Sequence, residues 1–372
     1  MEQDHLIRSF FIVKNVVATT LLIKLLVYNY NVNKKEKRNY TTKFIILAIA
    51  FVVVFFGSFM LGRYPIMPDE LIKIVLSKVF DIQQTWPEAA ETVVFNIRMP
   101  RVLAAGMVGA SLAVAGVAYQ GMFQNPMVSP GILGASSGAG CGAALAILLG
   151  FSYYQISSMA FIFGLGAVLL AYLISRMSKI NPVLAMVLAG MLISSLFSSG
   201  TSFIKLVADT EETLPAITYW LMGSLVSIQK TDIAFAIIPM VIGMIPLFLL
   251  RWRINLLTVG EEEAMSMGID TTRLRLIVII CATLLTAISV SISGVIGWVG
   301  LVIPHFCRMI FGYDYRRLIP TNILFGATFL IVVDNVARLA TTAEIPLGIL
   351  TSFIGAPIFV YLILTGGAIR GD

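Results

Sequence analysis

The sequence predicts an all-α polytopic membrane protein with about ten transmembrane helices. Of its 372 residues, 58% are hydrophobic and only 12% are charged, whereas a soluble domain carries about 25% charged residues. The mean hydropathy is +0.91. Apolar runs of the length that crosses a bilayer, about 20 helical residues, recur along the chain. Composition and patterning therefore place most of the chain in a membrane.

The basic balance of the chain follows from membrane topology. The net charge is +6, but the lysines and arginines stand at the ends of apolar runs and form no stripe with interleaved aromatic residues, as a nucleic-acid surface would. The three cysteines, Cys141, Cys281 and Cys307, lie inside apolar runs without C-x-x-C spacing. No disulfide framework and no metal site are predicted from them.

Residues 1–43 are predicted to be an N-terminal extension. The stretch 10–30 is apolar but contains Lys14, Asn15 and Lys24, and each charge at such depth costs roughly 2.5 to 3.5 kcal/mol. An interfacial amphipathic helix or a loosely attached extension is therefore favoured over an additional span. No cleavage site follows the stretch, so a removed signal peptide is not predicted.

The remaining sequence, residues 44–372, is predicted to form one transmembrane domain. A basic cluster at 34–43 precedes the first span and places residue 43 in the cytoplasm, because positive charge accumulates on that side. Alternating sides from there, the basic residues agree with ten crossings and two cytoplasmic termini. The predicted spans are 44–61, 100–119, 131–150, 156–174, 182–204, 233–250, 273–291, 295–310, 318–338 and 347–364.

The loop between spans six and seven, residues 257–270, interrupts the apolar sequence most sharply. Gly260 and Gly268 bracket good helix formers, and three glutamates at 261–263 fall in the first turn, where carboxylates favour the positive end of the helix dipole. Flanking arginines mark the cytoplasmic face. The sequence predicts a short helix outside the membrane, offered to a cytoplasmic partner; a solvated connector is the alternative.

Small residues and prolines recur in the spans. Two triads, Ala105, Gly109 and Ala113 and then Gly134, Gly138 and Gly142, are spaced by four residues and line one helix face each. Tight packing between membrane helices is favoured for them over direct substrate contact. Prolines lie near or inside spans at Pro126, Pro130, Pro304 and Pro357. Broken helices at that depth need neighbours or an aqueous cavity, which favours a pathway through the protein.

Three arginines depart from the charge rule. Arg98 and Arg101 lie at the outer mouth of the second span, and Arg338 lies at the outer end of the ninth. A guanidinium binds a carboxylate in a bidentate way, so these residues suit an acidic docking partner. Lipid headgroup contact or internal pairing is the alternative. Asp334 and Arg338 are four apart and can pair, which is expected to leave the other two arginines available.

Missing motifs narrow the function. No G-x-x-x-x-G-K-[ST] phosphate loop occurs, so no P-loop ATP site is predicted in this chain. H-E-x-x-H is also absent, and the chain has only two histidines, His5 and His305. Neither a catalytic residue nor a metal ligand is predicted. Few ionisable residues lie in the spans besides Asp334, which disfavours a proton-coupled carrier.

Several separated motifs together resemble the permease subunits of ABC importers for iron-siderophores, haem and cobalamin. The resemblance covers roughly residue 44 to the end, with the motifs in the same order, and the N-terminal extension falls outside it. The motifs are Arg98-Met-Pro-Arg101, Gly109 to Gly116 with Gln120, Asn125-Pro126, Ser129 to Gly134, Ser137 to Ala139, Gly260 to Gly268, Gly297 to His305 with Arg308, Gly312 and Asp314, Pro346 to Gly348, and Gly355 to Pro357.

The resemblance implies a permease with ten spans that passes a bulky iron chelate across the inner membrane of a bacterium by alternating access. A ferric siderophore is the first expectation, with haem or cobalamin as alternatives. The implied partners are a second permease copy or related permease, two cytoplasmic ATPase subunits that use ATP and Mg, and an external substrate-binding protein. No cofactor is expected on this chain, and no enzymatic activity of its own.

The resemblance also assigns roles to residues. Arg98, Arg101 and Arg338 are expected to receive acidic residues of the binding protein. The expected ATPase-coupling residues are Gly260, Glu261, Glu262, Glu263, Ala264, Met267 and Gly268. Helix packing or the pathway is expected to involve Gly109, Gly116, Gln120, Asn125, Pro126, Gly134, Gly138, Pro304, Gly355 and Pro357. An ion-coupled secondary transporter that acts without an ATPase is the alternative function, and a non-transporting membrane scaffold is a third.

Overall fold

A computed structural model describes residues 40–364 except 63, 81 and 342, and the side chains of 362 and 363 are also outside the description. The predicted extension therefore lies outside the described residues up to position 39. The regular structure of the described part consists of helices alone, as expected. Its ten long or apolar helices are α1 (Tyr40–Met60), α4 (Met99–Met122), α5 (Ala135–Leu148), α6 (Tyr153–Met177), α7 (Pro182–Val207), α9 (Lys230–Leu249), α12 (Thr271–Ser293), α13 (Val299–Phe311), α14 (Tyr315–Ala340) and α15 (Leu347–Leu364).

Five shorter helices connect them. They are α2 (Pro68–Leu76), α3 (Glu88–Thr92), α8 (Thr213–Leu221), α10 (Arg251–Leu257) and α11 (Glu261–Ser266). Seven of the described helices are long and apolar enough to cross a membrane, with α3 and α4 counted as one, and α5, α13 and α15 are shorter apolar helices. Together they correspond in order to the ten predicted spans, and the fold class is confirmed.

The third and eighth spans are shorter than the sequence predicts. Helix α5 begins only after Gly134, whose φ of 93° is left-handed, and α13 begins after Trp298, whose φ is 68°. The segments before them, 124–134 and 294–298, are not helical, and residues 128–134 and 294–298 are buried or half-buried. Non-helical backbone at such depth is tolerated where protein surrounds it. The predicted starts at 131 and 295 are therefore wrong by four residues each.

The second span begins earlier than predicted. Helix α3 continues through a π-helix, Val93–Arg98, directly into α4. The sequence analysis placed the start near Pro100. The π-helical turn lets the chain enter α4 without ending, and it turns Arg98 into the protein, where 3% of the residue is exposed.

Helix α4 is the centre of the bundle, and nearly all of its residues are buried. It packs against α12, α13 and α14. A Cβ at Gly109 would lie 2.2 Å from the carbonyl oxygen of Gly326, and one at Gly116 would lie 1.8 Å from that of Gly300. The backbones of α4, α13 and α14 therefore touch where a larger residue has no room, which is how small residues let membrane helices approach.

Two ends of this bundle carry the predicted sites. The α11 end holds α10, α11, the last turn of α4 and the junction between α13 and α14. The Arg101 end holds the last turn of α1, the π-helix, the start of α4 and the last turn of α14. Helix α4 has 24 residues, so at 1.5 Å per residue it spans about 36 Å between the two ends. Helix α1 already includes Tyr40, the first described residue, which lies four residues before the predicted span.

Candidate coupling and docking sites

The short helix predicted between spans six and seven is present as α11, Glu261–Ser266. Gly260 precedes it at φ 153°, and a Cβ there would lie 1.9 Å from a carboxylate oxygen of Glu263. Gly268 closes it at φ 79°, where a left-handed residue ends a helix. The amide of Ile269 donates to the carbonyl of Ala264 at 3.1 Å. The two glycines thus set the bounds of the helix.

Glu261 holds α11 against α12. Arg275 donates from Nη1 to Oε1 at 2.9 Å and from Nη2 to Oε2 at 3.0 Å, and the Thr271 hydroxyl donates to Oε1 at 3.2 Å. The fork-shaped guanidinium makes this a bidentate pair of fixed geometry. Glu261 therefore points back to the bundle, and the three glutamates, which the sequence treated as one group, have different surroundings.

The outward face of α11 combines acidic and apolar side chains. Glu262 and Glu263 are exposed, and so are Met265 at 51% and Met267 at 55%. Ala264 on the opposite face is fully buried. Methionine is a flexible, polarizable side chain that suits binding surfaces. A rigidly held helix with exposed methionines and two carboxylates is a surface that can enter a groove of a partner protein.

Side-chain bonds join α10 to two long helices. Gln124, just after α4, donates from Nε2 to the carbonyl of Leu257 at 2.6 Å. The backbone amide of Tyr315, the first residue of α14, donates to Asn255 Oδ1 at 3.0 Å. Neighbouring Asp314 caps α14, and its hydrogen bond and ion pair with Arg316 hold the pKa of its carboxyl below its usual value. Sequence reasoning missed Gln124 and Asn255.

At the Arg101 end, Asp334 lies between two arginines. Arg101 donates from Nε to both carboxylate oxygens, at 2.9 and 3.1 Å, and Arg338 Nε lies 3.3 Å from Oδ2. A second carboxylate, Glu344, lies 2.7 Å from Arg101 Nη2. Arg338 also donates to Asn335 Oδ1. The internal pairing that the sequence left as an alternative is therefore present for these two arginines.

Arg98 is bound by the backbone. Its guanidinium donates to the carbonyls of Phe59 and Tyr64, at the end of α1 and in the loop after it. The expectation that Arg98 and Arg101 remain available after an Asp334–Arg338 pair forms is wrong for this structure, because Asp334 binds Arg101 as well and Arg98 is buried. Docking of an acidic partner on the three arginines stays a prediction.

Gln120 joins α4 to α13 and to the segment that follows α4. Its Nε2 donates to the carbonyls of Val128 at 3.0 Å and Gly300 at 3.4 Å, and its Oε1 accepts from Arg308 Nη1 at 2.6 Å. His305 and Arg308 are both buried. Arg308 Nη2 and His305 Nε2 are buried and have no hydrogen-bond partner in the described part of the chain. No sequence motif predicted the Gln120–Arg308 bond.

The other predicted packing residues lie on helix contacts or breaks. Asn125 accepts a hydrogen bond from the amide of Met127 through Oδ1 at 2.9 Å, just before the buried 128–134 segment, and Pro126 lies between the two residues. A Cβ at Gly138 would lie 2.6 Å from the Phe163 carbonyl of α6, and one at Gly355 would lie 2.7 Å from the Trp298 side chain. Pro304 and Pro357 lie inside α13 and α15. In this structure, these residues lie at contacts between helices or at helix breaks.

A cavity of about 630 Å³ lies beside the broken segment before α13. Met222, Val295, Gly297, Gly348 and Phe353 are among its lining residues, so it touches α15 and the residues after α8. The lining is mostly apolar. Among the described residues, no group of three or more His, Cys, Asp and Glu side chains could hold a metal ion.

Comparison with known proteins agrees with the fold and the motifs. The model of the FecCD transport family matches residues 47–365. The chain is similar to the molybdate import system permease protein MolB of Haemophilus influenzae, 40% identical over 86% of this chain and 96% of that protein. It is 42% identical to a "Probable iron chelatin transport system permease protein" of Helicobacter pylori, over 73% of this chain and 82% of that protein.

A solved structure is similar as well. It is described as an inward-facing conformation of a metal-chelate type ABC transporter. It is 39% identical, superposes with a TM-score of 0.78, and covers 87% of this chain and 99% of its own. The similarity therefore extends over most of this chain.

Proposed function

Because the chain belongs to the FecCD transport family and is an ABC transporter permease, we propose that it is the permease subunit of an ATP-driven importer that passes a bulky iron chelate, a ferric siderophore first, across the inner membrane of a bacterium. Transport proceeds by alternating access. The α11 end faces the cytoplasm, as the arginines and lysines near it favour, and the Arg101 end faces the exterior.

The observation that carries this proposal is the construction of α11. It is fixed to the bundle by the Arg275–Glu261 pair and by buried Ala264, while Met265 and its neighbours are exposed. A helix held so firmly moves as a rigid body when a partner pushes on it. Since the sequence has no P-loop, the partner must supply the ATP site. Two ATPase subunits that use ATP and Mg fill that role.

The permease works with further partners. A second copy of this chain, or a related permease, completes the pathway, and an external binding protein delivers the cargo to the Arg101 end. Its acidic residues would compete with Asp334 and Glu344 for the buried arginines. The large apolar face that α1, α6, α7 and α9 expose suits lipid. No role for nucleic acid is proposed.

The second candidate cargo is molybdate. The similarity to the molybdate permease covers 96% of that protein, whereas the iron chelatin permease is matched over 82% of its length. The two cargoes differ in size and in charge density. Haem and cobalamin, which the sequence analysis also left open, are bulky. In size they resemble the iron chelate and not molybdate.

Uptake by proteoliposomes tests the proposal. The chain is reconstituted with its partner ATPase subunit and binding protein, and radiolabelled ferric chelate, haem, cobalamin and molybdate are supplied in turn. We expect ATP-dependent accumulation of the ferric chelate. Accumulation of molybdate alone would replace the proposed cargo by the second candidate. Flux that is the same without nucleotide would favour an ion-coupled secondary transporter and overturn the proposal.

A further inference from the structure

Helix α4 ends on a left-handed residue that is not glycine. Gln124, the second residue after α4, has φ 50°, a conformation that costs free energy for a residue other than glycine. The helix end holds it there, because the amide of Gln124 donates to the Gly121 carbonyl at 3.3 Å and the amide of Asn125 donates to the Gln120 carbonyl at 3.1 Å. The Gln124 residue itself is exposed. Strain of this kind persists where the surrounding structure fixes it. Its side chain makes one described bond, the donation to Leu257 at 2.6 Å.

That bond spans two elements that are far apart in the sequence. Leu257 is the last residue of α10 and stands three residues before Gly260, where α11 is about to begin. Gln124 follows α4, the helix at the centre of the bundle. The left-handed backbone directs the side chain from the end of α4 to the carbonyl at the end of α10. A charge-free hydrogen bond of this kind contributes modestly to stability, so its position matters more than its strength.

From α4 the contact path continues to the Arg101 end. Gly109 of α4 meets Gly326 of α14 backbone to backbone, so the two helices cannot slide without a clash. At their far ends Arg101 and Asp334 form a buried ion pair at 2.9 Å. The second bond of α10, from Tyr315 to Asn255, also ends on α14. Helix α10 is thus joined at the α11 end to both members of one stiff helix pair.

We propose that Gln124 is a positioning residue that fixes α10 to α4, so that movement of α11 passes through α4 and α14 to the arginine cluster at the Arg101 end. The proposal rests on the proposed function, in which a partner ATPase moves α11. It adds a defined point of entry into the bundle. The hydrogen bond transmits displacement because it holds the end of α10 at a fixed distance from the end of α4.

Substitutions at Gln124 can test whether its hydrogen bond transmits the movement of α11 or is needed for folding. Gln124→Glu keeps the size of the side chain but removes the donor and places a carboxylate against the Leu257 carbonyl. Gln124→Lys keeps a donor. The matched control is Thr258→Val, because the Thr258 hydroxyl donates to a backbone carbonyl at 2.7 Å, that of Asn255, within the same segment. Since Gln124 is exposed, none of these changes opens the core.

The first measurement is hydrogen exchange in the full complex, with and without trapped ATP. The amides in the last turn of α14, residues 337–340, report on the Arg101 end. In the wild type, in Thr258→Val and in Gln124→Lys we expect trapped nucleotide to change their exchange rate. In Gln124→Glu we expect that change to fall by roughly fivefold, the scale of one lost hydrogen bond.

The second measurement is the amount of cargo accumulated per ATP hydrolysed in proteoliposomes. It should fall in Gln124→Glu and recover in Gln124→Lys. An unchanged nucleotide response in Gln124→Glu, or no response at 337–340 in the wild type, would overturn the inference. Failure of both Gln124 variants to assemble would also overturn it, by assigning Gln124 to folding. Absence of any cargo uptake, with the exchange response intact, would instead count against the proposed function alone.

Discussion

Among single residues, the three arginines at the Arg101 end show that a charged side chain at the end of a span can be buried and bound internally. Sequence position placed Arg98, Arg101 and Arg338 at the mouths of their spans, and the structure confirms a common end of the bundle. Burial could not be deduced, because it depends on the π-helical turn and on Glu344 from a distant loop. Asp334 is the centre of this cluster, with 1% of the residue exposed.

Replacing Asp334 with Asn should destabilise the protein strongly. The change leaves Arg101 and Arg338 buried without their shared carboxylate, and breaking a buried ion pair in this way costs about 3 to 5 kcal/mol. Thermal unfolding of the purified chain in detergent measures the effect as a lower midpoint. Asp69→Asn is the control, since Asp69 pairs with Lys73 at 3.9 Å on the surface and should shift the midpoint little. Equal shifts of the unfolding midpoint in the two variants would show that Asp334 has no special structural role.

At the scale of elements, apolar length and charge predicted most helices, including the existence of α11 between its two glycines. Apolar length and charge did not predict where non-helical backbone interrupts a span. The runs at 131–150 and 295–310 are apolar throughout, so hydropathy gives no sign that the helix begins only at Ala135 and Val299. That break depends on contacts such as Pro130 against Gly300, between segments 170 residues apart. Such contacts have no local signature.

The contact between α4 and α14 makes an element-scale prediction. Gly109→Ala should destabilise the bundle by about 1 to 3 kcal/mol, because the added methyl has no room beside the Gly326 carbonyl and overpacking forces the helices apart. Gly166→Ala in α6 is the matched control, since a Cβ there meets nothing within 4 Å. Unfolding midpoints of the two variants give the comparison. A Gly109 variant as stable as the control would show that the helices adjust freely.

In the molecule as a whole, the two predicted sites lie at the two ends of one helix bundle. The α11 end presents a held helix with exposed Met265, and the Arg101 end buries a cluster of arginines and carboxylates. Helix α4 and its partner α14 run between them. Separate sequence motifs predicted a site at each end. The bonds that join α10 to α4 and α14, from Gln124 and to Asn255, are single side-chain contacts between distant segments, and only the folded chain reveals them.

If energy reaches this permease through the exposed face of α11, as we propose, that face touches the ATPase, and photo-crosslinking detects the contact. A photoreactive residue is placed at Met265, or at Met67, which is 67% exposed near α2 at the other end, and the importer is assembled with its ATPase subunits and illuminated. The account predicts an adduct with the ATPase from position 265 and none from 67. An adduct from position 67, with none from 265, would contradict it.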